Sequence, residues 1–269
     1  MIMIFSKTEK LSIGMIHLLP LIGAPKFRSM DEVLNQALVD AEILCKAGFK
    51  GILIENLGDM PYYPTKVPQE TVAGMTAIIQ QLKTMVLNEY PEVRLGVNVL
   101  RNDAIAAIAI AKAVKADFVR VNVLHGAMVT DQGIIESNAH EVVRYQKKLR
   151  GEEVKMLADA QVKHARSMVN FSLKEEIKDI TERSLADGIV ISGERTGTAP
   201  SMEKIREAKK ATRLPIIIGS GLGLENMEKY LPEIDGYIVG SSLKEGKELG
   251  RPISEKLARE FMEKARKIS

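Results

Sequence analysis

The sequence predicts an α/β protein, a single (β/α)8 TIM barrel spanning residues 1–269. Short apolar runs alternate with longer helical patterns from one end to the other, and eight such pairs can be counted. The length of 269 residues also suits a barrel, which typically needs about 250 residues. Two glycine-bearing segments, 218–223 and 239–242, follow the last two runs, where barrels commonly bind phosphate. A doubly wound open sheet is the alternative, because alternation alone does not distinguish it.

Each predicted element follows from local pattern and end signals. The strands are 12–17, 51–55, 94–99, 118–121, 154–158, 188–192, 215–218 and 236–239. The helices are 31–47, 70–90, 103–115, 139–150, 173–186, 202–211, 225–230 and 254–267, with Asp103 and Ser254 as N-terminal caps. Segments leaving the strands are long, notably 18–30, 56–69, 122–138, 159–171 and 193–201, and the 122–138 segment is expected to be a lid-like loop. This asymmetry predicts a site at the carboxyl face of the barrel.

The composition is that of an ordinary soluble globular protein, with 45% hydrophobic and 27% charged residues. Basic and acidic residues nearly balance at a net charge of +3, so nucleic-acid binding is not indicated. No apolar run approaches the roughly 20 residues of a transmembrane helix, and no secretory signal is visible. We therefore expect a cytoplasmic protein. The single Cys45 cannot form an intramolecular disulfide, and no pattern typical of an organic cofactor site is visible.

The two glycine segments predict a split phosphate cradle. Its residues are Gly219, Ser220 and Gly221 in the first segment and Gly240, Ser241 and Ser242 in the second. Glycines allow the backbone to approach an anion and direct N–H groups toward it. Thr196 and Gly197 follow another predicted strand and can close over the same ligand. The alternative is that Gly-Ser-Gly only forms a tight turn between strand and helix.

Polar residues also cluster where the predicted strands end. They are His17, Glu55, Asn98, Arg120, Asn122 and Asp159. In a barrel these positions converge on one mouth, where a buried charge needs solvent, a partner or a ligand. His17 is equally compatible with a core position.

The candidate catalytic residues are Asp159, Lys163, His164 and Glu55. Asp159, Lys163 and His164 lie within one short segment, so a carboxylate, an amine and an imidazole can act together in acid/base chemistry. An ordinary structural ion pair is the alternative. Glu55, Asp59 and Asp159 can also supply oxygen ligands to Mg²⁺. Lys163 can instead form a Schiff base, which requires a desolvated pocket.

Several multi-residue blocks, in order along nearly the whole chain, resemble the BtpA family. They include MIHLLPL at 15–21, GVNVLRND at 96–103, RVN at 120–122, TDQGIIE at 130–136 and VGSSLK at 239–244. The blocks around Glu55, Asp159, Gly197 and Gly219 continue the likeness. The resemblance implies a barrel related to the ribulose-phosphate-binding barrels. It also implies a role in photosystem I biogenesis or stability in photosynthetic relatives, and some relatives are described as nucleosidases.

Two functions follow from the sequence. In the first, an enzyme anchors a sugar phosphate or nucleotide in the cradle, and Asp159, Lys163 and His164 act on its far end. Lyase, isomerase and nucleosidase-like reactions all stay open, because sequence does not give mutual geometry. In the second, a non-catalytic biogenesis factor binds membrane-protein complexes through surface loops, with peripheral membrane association. No basic amphipathic helix and no large apolar surface motif supports the second. A homo-oligomer is compatible with both.

Overall fold

Parallel strands close into a barrel in this computed structural model, which describes residues 10–193 and 197–268. Its strands are β1 (Leu11–His17), β2 (Gly51–Glu55), β3 (Arg94–Asn98), β4 (Phe118–Val121), β7 (Lys155–Ala160), β9 (Gly188–Ile191), β10 (Ile216–Ile218) and β11 (Gly236–Val239). They pair in this order, and β11 pairs back to β1. The predicted barrel is therefore confirmed, and the open sheet is wrong. Every predicted strand boundary lies within two residues of the observed one.

Helices follow the barrel strands and surround them. They are α1 (Met30–Ala47), α2 (Gln69–Met85), α3 (Ala104–Val114), α4 (Ala139–Lys148), α5 (Leu173–Glu182), α6 (Met202–Ala211), α7 (Met227–Tyr230) and α8 (Glu255–Ile268). As predicted, Asp103 caps α3, because its Oδ1 accepts from the amide of Ala106 at 2.8 Å. The helix predicted at 70–90 ends early, at Met85, and a short 3₁₀ turn follows. Among the described residues, every helix falls short of the length and apolarity that crossing a membrane demands.

The interior of the barrel is filled by side chains. Its cluster consists of Leu11, Ile13, Met15, Leu53, Phe118, Leu157, Val190, Ile217 and Ile238. Gly96 makes room for Phe118, because a Cβ on Gly96 would lie 2.2 Å from the Phe118 ring. A packed interior leaves no central channel. A ligand can therefore enter only at an end of the barrel.

Two of the long segments predicted as loops form a second, smaller sheet. Strands β5 (Ala127–Thr130), β6 (Gly133–Glu136) and β8 (Ala165–Ser167) pair antiparallel in the order β6-β5-β8. The lid-like loop expected at 122–138 is thus a hairpin, and it is held by a strand from the segment 159–171. Val123, Met128, Ile135 and Val162 form a separate apolar cluster with this sheet. The hairpin turns at Gly133, whose φ is 99°.

Candidate functional site

The carboxyl ends of the barrel strands surround a cavity of about 40 Å³. Most of the residues predicted from sequence line it: His17, Glu55, Arg120, Lys163, Gly197, Gly219, Ser220, Gly221, Gly240, Ser241 and Ser242. Leu222 and Leu249 also line it, and the sequence analysis did not single them out. Thr196 lies outside the described residues. The sequence therefore located the mouth of the barrel and most of its lining.

Asp159 is not among the residues that line this cavity, but it is hydrogen-bonded to Arg120, which is. The Arg120 Nε and Nη2 donate to Asp159 Oδ2 and Oδ1 at 3.1 and 2.9 Å, and both side chains are buried. Asn122 Nδ2 donates to Asp159 Oδ2 at 2.7 Å, and Asn98 Nδ2 donates to Asn122 Oδ1 at 3.2 Å. Burial lowers the pKa of Arg120, but the carboxylates of Asp159 and Glu55 outweigh it and raise that pKa above its ordinary value. This network fixes a permanently charged guanidinium at the cavity wall.

His17 and Glu55 lie side by side on the neighbouring strands β1 and β2. His17 Nε2 lies 3.9 Å from Glu55 Oε1, and both side chains are largely buried. Burial, followed by the positive charges of nearby lysines and arginine, lowers the pKa of His17 to about 3. Burial also raises the pKa of Glu55, and Arg120 and Lys163 partly oppose that rise. The imidazole is therefore uncharged at neutral pH, and Glu55 is the better placed of the two to exchange a proton.

Lys163 lines the cavity. Its ammonium forms no hydrogen bond or ion pair within residues 10–193 and 197–268. Burial and then the Arg120 charge lower its pKa to about 8, against the opposing pull of Glu55 and Asp159. About a tenth of such an amine is neutral at pH 7. Lys163 is thus a candidate nucleophile or base, whereas His164 is exposed and is not part of the lining.

The two glycine segments lie side by side, as a split cradle requires. Ser242 Oγ donates to the carbonyl of Leu222 at 2.6 Å and so joins them. A Cβ on Gly221, whose φ is 81°, would lie 2.1 Å from the Ala199 nitrogen. A Cβ on Gly240 would lie 2.8 Å from the His17 ring. Larger residues are excluded at both positions, so the glycines serve close packing as well as backbone approach.

Donors and acceptors at this mouth are left without protein partners. In the described part of the chain, the amides of Gly221, Ser241 and Ser242 donate to no protein acceptor. His17 Nδ1, Asn98 Oδ1 and Ser192 Oγ are buried and form no hydrogen bond there either. Because buried polar groups are normally satisfied, such a concentration of unpaired groups calls for water or a ligand.

The three-carboxylate Mg²⁺ site is wrong for the described residues. No group of three His, Cys, Asp or Glu side chains comes together among them in a way that could hold a metal ion. Asp59 is engaged elsewhere: its Oδ1 accepts from the Leu21 amide at 2.8 Å, and its Oδ2 accepts from Asn56 at 3.0 Å. This carboxylate therefore fixes the first loop instead of joining Glu55 and Asp159.

The BtpA family profile matches residues 8–267. The chain belongs to the BtpA family. A protein of Archaeoglobus fulgidus is 44% identical over 238 residues, which cover 88% of this chain and 93% of that relative. The photosystem I biogenesis protein BtpA of Synechocystis is 42% identical over 240 residues, which cover 88% of this chain and 82% of that protein.

Solved structures similar to this BtpA-family chain are TIM barrels. Phosphoribosyl anthranilate isomerase of Thermus thermophilus matches with a TM-score of 0.57 and 11% identity, covering 96% of this chain and 100% of that one. Tryptophan synthase of Mycobacterium tuberculosis matches with a TM-score of 0.59 and 15% identity, covering 96% and 93%. At such low identities, these likenesses bear on the fold alone.

The segment that places Leu249 in the cavity lining is a feature that sequence reasoning missed. Lys244 is buried, and its Nζ donates to the Leu249 carbonyl at 2.7 Å. Asp40 Oδ1 accepts from the Ile253 amide at 2.8 Å and fixes the far end of the same segment. Leu249 is held against the cavity between these two anchors. In the sequence, only the position of Lys244, two residues after the second glycine segment, points to this anchor.

Proposed function

We propose that this BtpA-family protein binds a phosphorylated small molecule at the carboxyl face of its barrel and acts on it as an enzyme. The observation that carries the proposal is the set of amides at Gly221, Ser241 and Ser242 that have no acceptor among residues 10–193 and 197–268. They lie in a cavity that Arg120 and Lys163 also line. Backbone N–H groups converging with cationic side chains form an anion site.

The charge balance of the lining supports the same proposal. Among the described residues that line the cavity, Arg120 and Lys163 are the cationic side chains and Glu55 is the acidic one. Burial raises the pKa of Glu55 and so favours its neutral form. The cavity therefore offers a phosphate dianion net attraction, with amide donors to orient it.

The size of the cavity indicates that the site opens to bind. A volume of about 40 Å³ has room for only a few water molecules. Sites for small molecules are typically about 300–1,000 Å³. We expect Leu249 and its segment to move outward when a sugar phosphate enters, because the barrel interior on the other side is packed.

The proposed reaction takes place at the end of the ligand that faces Glu55 and Lys163. Both line the cavity, and burial moves the pKa of each toward neutrality, upward for Glu55 and down to about 8 for Lys163. Shifts in these directions bring both groups closer to the range in which proton exchange at physiological pH is efficient. Lyase or isomerase chemistry fits this pair.

Thermal unfolding in the presence of phosphorylated compounds tests the proposal. Inorganic phosphate, ribose 5-phosphate, AMP and FMN are compared with and without Mg²⁺. A ligand at 100 times its Kd adds about 2.7 kcal/mol to the free energy of unfolding, which raises Tm by about 5–10 °C in a protein of this size. Ser241→Glu places a carboxylate in the cradle and should abolish the shift. Asn88→Glu, on the opposite side of the barrel between α2 and β3, should retain it. No shift with any phosphorylated compound contradicts the proposal.

A second candidate function is a non-catalytic assembly factor, as the Synechocystis relative is named a photosystem I biogenesis protein. A specific surface favours it. Val129 pairs with Ile134 across β5 and β6, and Met168 lies beside the start of β5. These three side chains are exposed by 49%, 55% and 56%. Such a patch, which the sequence analysis did not expect, fits a protein partner.

The two candidate functions are separated by matched variants. If the patch binds a protein partner, Val129→Ser combined with Ile134→Ser should abolish co-purification of that partner, and Ser241→Glu should not. If the cradle variant alone abolishes co-purification, partner binding depends on the ligand, and an assembly role that is independent of the cavity is wrong.

A further inference from the structure

We infer that Lys163 is a nucleophile that forms a Schiff base with a phosphorylated aldehyde or ketone. The inference rests on the proposed function, because the cradle must hold the phosphate of that compound. It goes further by naming the reacting atom of the protein, the functional group of the substrate and the covalent intermediate.

The first reason is the contrast between the two cations of the cavity. Arg120 is held by the two hydrogen bonds that it donates to Asp159. Lys163 has no such partner in the described part of the chain. A cationic ammonium in a desolvated cavity beside a guanidinium is unfavourable, and loss of its proton relieves that cost. The site therefore raises the neutral share of the amine, which is the nucleophilic form.

The second reason is that the backbone around Lys163 is held firmly. Gln161 and His164 adopt positive φ angles of 50° and 56°, which are uncommon for residues other than glycine. The Gln161 amide donates to Glu176 Oε1 at 3.0 Å, and Arg101 Nη2 donates to the Lys163 carbonyl at 2.8 Å. Two side chains from elsewhere in the fold thus fix this segment on both sides of Lys163. Such support holds a reactive group in a productive geometry.

Glu55 supplies the proton that the reaction needs. The Lys163 nitrogen attacks the carbonyl carbon, one proton moves from nitrogen to the carbonyl oxygen, and a carbinolamine results. Protonated Glu55 then donates its proton to the carbinolamine hydroxyl, the C–O bond breaks, and water leaves. A protonated imine on Lys163 and a Glu55 carboxylate remain. Nothing is oxidised or reduced. Burial of Glu55 raises its pKa and so supports the protonated form.

The arrangement of the strands limits the length of the substrate. Lys163 follows β7, whereas Gly219 to Gly221 follow β10, and only β9 separates these strands in the barrel. A phosphate in the cradle and a carbonyl at Lys163 therefore belong to one short molecule. Small sugar phosphates with a carbonyl group fit this description.

Reductive trapping tests the inference. The intact protein is incubated with dihydroxyacetone phosphate, reduced with sodium borohydride, and analysed by intact-mass and peptide mass spectrometry. We expect one adduct per chain, on Lys163, because a pKa of about 8 gives about 200-fold more neutral amine at pH 7 than an exposed lysine has. Lys163→Arg should abolish the adduct, and Lys147→Arg, at an exposed lysine, should not. Glu55→Gln should slow adduct formation about 100-fold.

Thermal shifts with the same compound separate this inference from the proposed function. Stabilisation of the wild type and of Lys163→Arg, with no adduct on the wild type, overturns the Schiff base and leaves phosphate binding intact. Absence of both stabilisation and adduct overturns both. Adducts spread over many lysines, or an equal yield with unphosphorylated dihydroxyacetone, also contradict the inference. A trapping rate that rises with pH up to about 8 supports it.

Discussion

Replacement of Asp159 by asparagine separates a structural role for this carboxylate from a catalytic one. Asp159 accepts two hydrogen bonds from Arg120 and one from Asn122. The two charged side chains are only 1% and 3% exposed. Asp159→Asn keeps the shape but removes the charge that balances a buried guanidinium. Loss of one partner of a buried ion pair typically costs about 3–5 kcal/mol.

This cost predicts a large fall in thermal stability. At about 2–4 °C per kcal/mol in a protein of this size, Tm should fall by roughly 10 °C, as measured by calorimetry at pH 7. Glu152→Gln removes the exposed ion pair with Lys147 and should leave Tm unchanged, since such pairs contribute little. Arg120→Gln added to Asp159→Asn should recover part of the loss, because the unbalanced charge is then gone. An unchanged Tm in Asp159→Asn would refute this reasoning.

Ligand binding by the same variant decides how Asp159 takes part in function. If Asp159 positions Arg120 at the cavity, Asp159→Asn should weaken the stabilisation by phosphorylated compounds. If Asp159 is instead the acid or base of the reaction, that stabilisation should persist while turnover is lost. The hydrogen bonds to Arg120 and Asn122 favour the first outcome.

Three further predictions concern the cradle, the pH dependence of stability, and Leu249, which we expect to cover the cavity. Gly221→Ala should lower Tm and abolish stabilisation by phosphate, because its Cβ would lie 2.1 Å from the Ala199 nitrogen, whereas Gly250→Ala, with no atom within 4 Å, should do neither. Burial lowers the pKa of His17 to about 3. Between pH 6.5 and 3, the unfolded chain therefore binds a proton at this residue that the folded chain does not bind. Urea unfolding should therefore show stability falling from pH 6.5 to 3, and less steeply in His17→Gln. Leu249→Ala should speed sugar-phosphate binding in stopped-flow measurements, and an unchanged rate would show that Leu249 is no cover.

The barrel could be predicted because its signals are local. The strand predicted at 51–55 is observed as Gly51–Glu55, and Asp103 caps α3 as its residue type suggests. The hairpin at 127–136 could not be predicted in the same way. Its strands are four residues long, and β5 also pairs with β8, more than thirty residues further along the chain. A strand that depends on a distant partner leaves little pattern in its own sequence.

The site was predicted in outline for a related reason. Parallel strands bring their carboxyl ends together, so residues that end strands are expected to meet. Sequence spacing could not tell neighbouring residues apart. Asp159 lies within β7 and bonds to Arg120, Lys163 lines the cavity, and His164 is exposed. Nearness along the chain suggested one catalytic group of three, and the path of the backbone separates them.

The charges of Arg120 and Lys163 require the phosphate and the carbonyl group of the ligand to bind at different places in the cavity. In the free protein, the Arg120 charge helps to lower the pKa of Lys163. A phosphate dianion bound directly beside Lys163 would reverse this effect, because a nearby anion favours the ammonium form. It would thereby suppress the nucleophile. The amine keeps its reactivity only if the phosphate is held away from it by the amides of Gly221, Ser241 and Ser242, so that the uncharged carbonyl end faces Lys163. The separation of cradle and lysine is therefore a requirement of the proposed chemistry.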